Sequence, residues 1–334
     1  LQTIDEIIER ALRYCDIAIS MGIGAIRSHV DVCDDELKGV EALVEVRKQV
    51  KDYIDLQLVA FPQDGVFRDP TAMNNTIRAL DMGVDVVGGI PHFERTMQDG
   101  AKSVTALCEL AAERGLMVDM HCDESDDPNS RHVETLAYET TRLGLQGRVA
   151  GSHLTSMHSM DNYYVSKLIP LMAEANLSVI PNPSINIMLQ GRHDTYPKRR
   201  GQTRVRELRD AGLNVGFGSD CMMDPWYSLG RADMLDVANM GLHVGQLSSR
   251  ADMAWCFEAV TQNSASIMGL KDYGLNKGCN ANFVILQAKN PIEAIRLRAT
   301  RLKVIRAGKV ISQTPASTAQ INLPNRPKTV EPDF

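Results

Sequence analysis

Seven short runs rich in Val, Ile, Leu or Phe recur along most of the chain, each ending in polar or turn residues. They cover 24–32, 55–63, 84–93, 117–124, 148–155, 177–184 and 213–220. Their starts lie 31, 29, 33, 31, 29 and 36 residues apart. The intervening stretches, such as 36–53 and 103–115, carry apolar residues at i, i+3 and i+4, the spacing of an amphipathic helix. Gly83, Gly115 and Gly212 each precede a strand-like run, where a left-handed helix cap suits glycine.

A strand–helix unit repeated about every 30 residues predicts a parallel sheet. Seven units in succession favour a barrel over an open doubly wound sheet, and no GxGxxG follows the first strand. A barrel needs eight units. Residues 1–20 read as a helix feeding the first visible strand, so the expectation is that one strand precedes this chain. After a last helix over 253–268 the pattern shortens to a strand at 282–287 and a hairpin at 303–312 with Ala307 and Gly308 at its turn. The end, 324–334, reads as a loose terminus. The expected fold is α/β: a (β/α)8 TIM-like barrel over 1–270 with seven of its eight units, then part of a small β domain over 271–334.

In such a barrel the active site is built at the C-terminal ends of the strands. Those ends carry Gln63, His92, His121 with Glu124, His153 and Asp220. His121 stands in the run His-Cys-Asp-Glu, and the three-residue spacing places Glu124 already in the loop beyond the strand. A neutral imidazole ligates divalent metals, and a nearby carboxylate can carry a proton from water. The plain alternative is a buried histidine bonded to backbone, with Glu124 capping the next helix. His153 could ligate metal or orient the attacking water. Asp220 could bind metal and accept a proton, or cap a helix. His158 reads as a rim or structural residue. His29, His193 and His243 read as structural, and the basic loop 192–201 reads as a solvated or subunit-contact loop in preference to a phosphate site.

Composition narrows the classes. At 44% hydrophobic and 23% charged the chain is expected to fold around a sizeable core. A formal net charge of −6 argues against a nucleic-acid partner, and no apolar run is long enough to span a membrane. Seven irregularly spaced cysteines without a CxxC predict neither disulfides nor a zinc ribbon and fit a reducing compartment. The 16 methionines read as core filling. Because the chain opens at Leu1, not Met, the lack of a signal peptide is uninformative. The H-x-E with P-C-x-x-C pattern of nucleobase deaminases and the GxSxG elbow are both absent. The run 84–93 has no lysine to bridge two metals, which points to a single ion.

With histidines closing two strands and Asp220 a third, the chain resembles the amidohydrolase superfamily and, more narrowly, the bacterial cytosine deaminases. The segments that carry the resemblance are AFPQDG (60–65), VVGGIPHFE (86–94), HCDE (121–124), SHLTSMHS (152–159), LQGRHDTYPKRRG (189–201), DPWYSLGRADML (224–235) and GLHVGQL (241–247). The resemblance implies one divalent metal per subunit, Zn²⁺ or Fe²⁺, ligated by His121 and Asp220. It makes Glu124 the proton shuttle and His153 the residue that orients the attacking water. Gln63 would read the amide edge of a pyrimidine base, with Phe61 and Trp226 walling the pocket. It also implies a cytoplasmic homo-oligomer, often a hexamer.

Two departures matter. The family's H-x-H metal pair on its first strand has no counterpart here, which leaves either a missing N-terminal part or a metal-poor, non-catalytic subunit. Where the family reads GHDD, this chain reads Gly218-Ser219-Asp220-Cys221. A carboxylate at that position would be desolvated by a methyl on ring carbon five, and a thiol removes that penalty. The expected reaction is deamination of cytosine or 5-methylcytosine. The alternative is deamination or hydrolysis of another nitrogen heterocycle of isoguanine, creatinine or triazine type.

Overall fold

The computed structural model describes residues 2–332; Leu1, on which the chain opens, lies outside them. The first helix, Ile4–Ser20, begins with a capping box in which Thr3 Oγ1 accepts from Glu6 N and the Glu6 carboxylate accepts from Thr3 N. Seven parallel strands follow: β1 (Ala25–Asp31), β2 (Asp55–Phe61), β3 (Val86–Gly89), β4 (Met117–Cys122), β5 (Val149–His153), β6 (Ser178–Ile180) and β7 (Asn214–Val215). They are hydrogen bonded in chain order. Each predicted run holds one strand, and helices such as Lys38–Val50, Met97–Arg114 and His132–Arg142 return the chain between them. This is the α/β architecture of a (β/α)8 barrel, represented by seven strands.

Strand periodicity divides the two faces. On β4, Val118, Met120 and Cys122 are buried in the main apolar cluster with the helices, while Asp119 and His121 face the concave side. The sheet curls enough that Arg27 of β1 reaches across the interior. Its guanidinium pairs with Asp119 of β4 at 2.8 Å, donates from Nε to Gln57 Oε1 at 2.9 Å, and donates to the carbonyl of Ile267 at 3.0 Å. Ser152 Oγ donates to the same Asp119 at 2.8 Å. This polar layer forms the floor beneath His29, Phe61, His121 and His153.

Several expected bounds shift for local reasons. The run 177–184 gives only β6, because Pro181 ends it and Pro183 starts a helix at Pro183–Leu189, where its missing N–H is not needed. The run 213–220 is strand only at β7, and Asp220 therefore lies in a loop instead of closing a strand. Gly216 N and Gly218 N still donate to Val179 O and Pro181 O at 3.0 Å, so the chain stays beside β6. The expected helix 253–268 is two helices, Arg250–Glu258 and Gln262–Ile267. Between them the carbonyl of Ala259 is taken by Phe217 N at 2.9 Å and Ser264 Oγ at 2.8 Å, which turns it out of the helical ladder.

The later strands β8 (Phe283–Leu286), β9 (Arg301–Arg306) and β10 (Lys309–Gln313) form an antiparallel sheet in the order β10-β9-β8. Its hairpin turns through Ala307 and Gly308 at φ 48° and 75°, the twist that suits tight hairpins. β11 (Ala319–Gln320) pairs with β12 (Thr329–Val330), which falls in the stretch 324–334 expected to be a loose end, through a turn that holds Asn325 at φ 59°; residues 333 and 334 of that stretch lie outside the described residues. β1 and β7 are the edges of the parallel sheet. Between them, the first helix and the small sheet lies a cavity of about 2290 Å³ that reaches His121 and Asp220. Among the described residues no helix is long and apolar enough to cross a membrane.

Candidate active site

Three site residues adopt left-handed backbone conformations that side chains other than glycine seldom take: Asp123 at φ 52°, His153 at 69° and Asp220 at 57°. Such positions carry strain of about 1–3 kcal/mol each and persist only where neighbours over-determine them. Asp123 shows how. Its buried carboxylate accepts from Ser130 Oγ at 2.8 Å, His132 N at 3.0 Å and Val133 N at 2.8 Å, and it pairs with His132 Nδ1 at 2.7 Å. Its carbonyl accepts Ser156 N at 3.1 Å. Asp123 thus satisfies the N-terminus of the helix His132–Arg142, the role open to Glu124 from residue type, and Glu124 is turned toward the barrel mouth.

Four side chains converge there. The ligand atoms of His121, His153 and Asp220 all lie within 4.8 Å of one another. His121 Nε2 is 3.8 Å from Asp220 Oδ1, and Glu124 Oε1 is 3.1 Å from His153 Nδ1. Rings pack closely around them: the His121 centroid is 4.5 Å from His29, 4.5 Å from Phe61 and 4.6 Å from His153. Buried polar atoms without hydrogen-bond partners gather in the same place, including His121 Nδ1 and both ring nitrogens of His92. Native cores leave few such atoms unpaired, so the cluster marks a ligand site.

The electrostatics suit metal and proton chemistry. Burial, aided by His29, pushes the His121 imidazole toward its neutral, ligating form. Burial likewise drives His92 down to about 4. For Asp220 burial favours the acid, yet its bond to His121 and the nearby His153 hold the carboxyl far below the usual range. Glu124 follows the same logic: burial raises it, and His153 outweighs that. For His153 burial opposes the charged form and Glu124, then Asp220, favour it, with a net upward pull. The imidazoles of His121 and His153 and the carboxylate of Asp220 form a nitrogen–oxygen donor set that fits a divalent metal ion.

The expected substrate residues line the same cavity. Phe61 is buried beside His121, and Gln63 lies on the wall with Glu124 and Asp220. Cys221 is half-buried, its Sγ 3.5 Å from Asp220 Oδ2. Trp226 is 57% exposed on the rim, in a turn where Asp224 Oδ1 accepts from Trp226 N and Tyr227 N. His29, read from sequence as structural, sits against His121 and 3.7 Å from Asp119. His243 bonds to the carbonyl of its own helix at Asn239, away from the cluster. In the loop 192–201 the Arg199 guanidinium is consumed internally by Asp194 and Ser159, which favours a structural loop over a phosphate site. Sequence reasoning missed Asp123, His132, Asn182 and Asn186. Only their closeness in sequence to strand ends hinted at them.

A parallel barrel sheet carries its active site at the C-terminal ends of its strands, and here histidines and carboxylates gather there. The amidohydrolase family profile matches residues 8–313, and the chain belongs to that family. It is 44% identical to 5-methylcytosine deaminase from Klebsiella pneumoniae, whose crystal structure was solved liganded with phosphonocytosine. The two superpose with a TM-score of 0.93, covering 97% of this chain and 78% of that one. It is 30% identical over 312 residues to N-isopropylammelide isopropyl amidohydrolase of Pseudomonas sp. strain ADP, covering 92% of this chain and 74% of the relative. It is 31% identical over 301 residues to pterin deaminase of Rhizobium rhizogenes strain K84, covering 89% and 68%.

Proposed function

We propose that this protein catalyses metal-dependent hydrolytic deamination of a free cytosine-type base, converting cytosine and 5-methylcytosine to uracil and thymine with release of ammonia. The observation that carries the reading is Cys221. A thiol stands beside Asp220 in a cavity shared with Gln63 and Glu124, in a chain 44% identical to a 5-methylcytosine deaminase. The reading includes a cytoplasmic homo-oligomer, hexameric as the family resemblance implies, with no nucleic-acid or membrane partner.

His121 and Asp220 would hold one Zn²⁺ or Fe²⁺ ion per subunit, which when bound supplies the Lewis acidity that makes water nucleophilic at neutral pH. Gln63 pairs with the amide edge of the ring and Phe61 packs against its apolar face. His153 orients the attacking water and Asp220 accepts from it. Glu124 takes a proton from that water and delivers it to ring nitrogen three as oxygen bonds to carbon four. The bond from carbon four to the exocyclic nitrogen then breaks. The leaving nitrogen departs as ammonia after protonation by Glu124 or Asp220. Water and one base are consumed; one oxo base and one ammonia are formed.

The test is an ammonia-release and absorbance assay on cytosine, 5-methylcytosine, a pterin and N-isopropylammelide, with the metal content of the same preparation measured. Turnover of the two pyrimidines with about one ion per subunit is expected. Turnover of the pterin or the triazine alone would replace this reading with another heterocycle, and a metal-free, inactive preparation would replace it with a non-catalytic subunit.

A further inference from the structure

The loop that carries Gln63 hands every backbone N–H from Asp64 to Phe67 to a defined acceptor. Asp64 N donates to Cys33 Sγ at 3.4 Å, and Gly65 N donates to Pro62 O at 2.9 Å. Val66 N donates to Glu94 Oε1 at 2.6 Å, and Phe67 N reaches both carboxylate oxygens of Glu94, at 3.2 and 3.3 Å. One buried carboxylate thus takes two successive N–H groups, the first of them on the buried Val66. Buried backbone donors need such partners, and Glu94 supplies them from a different strand end.

Glu94 is itself held. It follows the short turn Pro91–Phe93 after β3, and its N–H donates to Pro91 O at 3.2 Å. Beside it Arg68 Nη1 donates to Phe93 O at 2.8 Å, a second tie between the two loops. The fit is close. Gly65 stands at φ 92°, and a Cβ there would lie 3.0 Å from the carboxyl carbon of Glu94, so glycine lets the loop settle onto that carboxylate. Gln63 has no such support of its own. Its side chain lines the cavity and makes no hydrogen bond among the described residues, so the backbone on either side decides where its amide points. Phe61 at the end of β2 fixes one side, and the Glu94 clamp fixes the other.

We infer that Glu94 is a positioning residue for substrate recognition: by holding the backbone N–H groups of Val66 and Phe67 it fixes the reach of the Gln63 amide into the cavity. The inference deepens the proposed reaction and rests on the role given there to Gln63, pairing with the amide edge of the base. Glu94 does not line the cavity, so its influence on the base passes through the loop. An amide that must meet a ring edge tolerates little displacement, and a loop free to drift would spread it over many positions. That contact is present in the bound base and in the transition state alike. Its loss therefore weakens binding more than it slows the chemical step.

The test is a double-variant cycle on the full chain, read by steady-state kinetics on cytosine, with hydrogen exchange across 62–68 measured on the same proteins. In Glu94→Ala, exchange across 62–68 should quicken about 10–100-fold, the span of a hydrogen bond to a charged group. KM should rise about 3–10-fold while kcat stays within about twofold. In a Gln63→Ala background the same substitution should change kcat/KM less than about twofold, because the amide it places is gone. A purely structural carboxylate would lower kcat/KM equally in both backgrounds. That result overturns the inference, and so does wild-type exchange in Glu94→Ala. If Glu94→Ala does not fold, Glu94→Gln takes its place. Its amide oxygen still accepts from Val66 N while its NH2 faces Phe67 N, so a smaller rise in KM is expected, again absent without Gln63, and an equal loss in both backgrounds overturns the inference. If the wild type deaminates none of the four rings, the functional reading fails, and hydrogen exchange alone decides whether Glu94 holds the loop.

Discussion

The Glu124 carboxylate meets His153 Nδ1 at 3.1 Å although Glu124 lies in the loop after β4 and His153 closes β5. Register explains it. Cys122 of β4 is the pairing partner of His153 on β5, and the left-handed Asp123 turns the chain so that Glu124 returns over that pair. If Glu124 carries the proton, Glu124→Gln should lower kcat about 10²–10⁴-fold with little change in KM. Steady-state kinetics on cytosine check this. An unchanged kcat would remove Glu124 from the mechanism.

Cys221 predicts substrate choice. Placing a carboxylate beside Asp220 returns a charge that a ring methyl would desolvate. Cys221→Asp should therefore lower kcat/KM for 5-methylcytosine relative to cytosine by about 10–200-fold, the range one methyl-sized contact spans. Competition between the two bases in one assay gives the ratio. A variant that keeps its full preference for 5-methylcytosine refutes the role.

The Arg27–Asp119 pair predicts stability. Its side chains are 6% and 1% exposed, and it forms the floor of the site. Burial works against the Asp119 carboxylate, and His29 and Arg27 hold it well below its usual range. Arg27→Met leaves that charge buried without its guanidinium, which should destabilise the fold by about 3–5 kcal/mol. Urea unfolding measures the loss, and a double variant with Asp119→Leu should recover part of it.

The loop 192–201 predicts a pH dependence. Side-chain and backbone bonds from Arg199 hold the Asp194 carboxyl down to about 2, below its ordinary 3.8. A depressed carboxyl contributes its tether fully above its unfolded value and loses it as pH falls through the folded one. Hydrogen exchange in the loop should therefore gain protection as pH rises from about 2 to about 4. Asp194→Asn should abolish this pH dependence and leave the loop fast-exchanging throughout.

Much of the fold could be read along the chain, because a barrel writes itself locally. Each strand needs a short apolar run and each helix an apolar stripe, so seven units and their order follow from pattern alone. The strand ends His121, His153 and Glu124 were legible for the same reason. Bounds were less so where a tertiary bond redirected the backbone: Ala259 gives its carbonyl to Phe217, and the expected single helix becomes two.

Roles that depend on which side chains meet across strands were not legible. Asp123 and Glu124 are adjacent carboxylates, and only the arrival of His132 and Ser130 separates the structural one from the one turned to His153. His29 looked structural because its approach to His121 requires the curl of the sheet. Asn182 and Asn186 carried no chemical signal in the sequence, and only the fold brings both amides against His153. Local pattern decides what each segment becomes, since backbone bonding and apolar burial act over a few residues. Partners for a buried charge or ring nitrogen come from distant segments, so their chemistry exists only once the chain has folded.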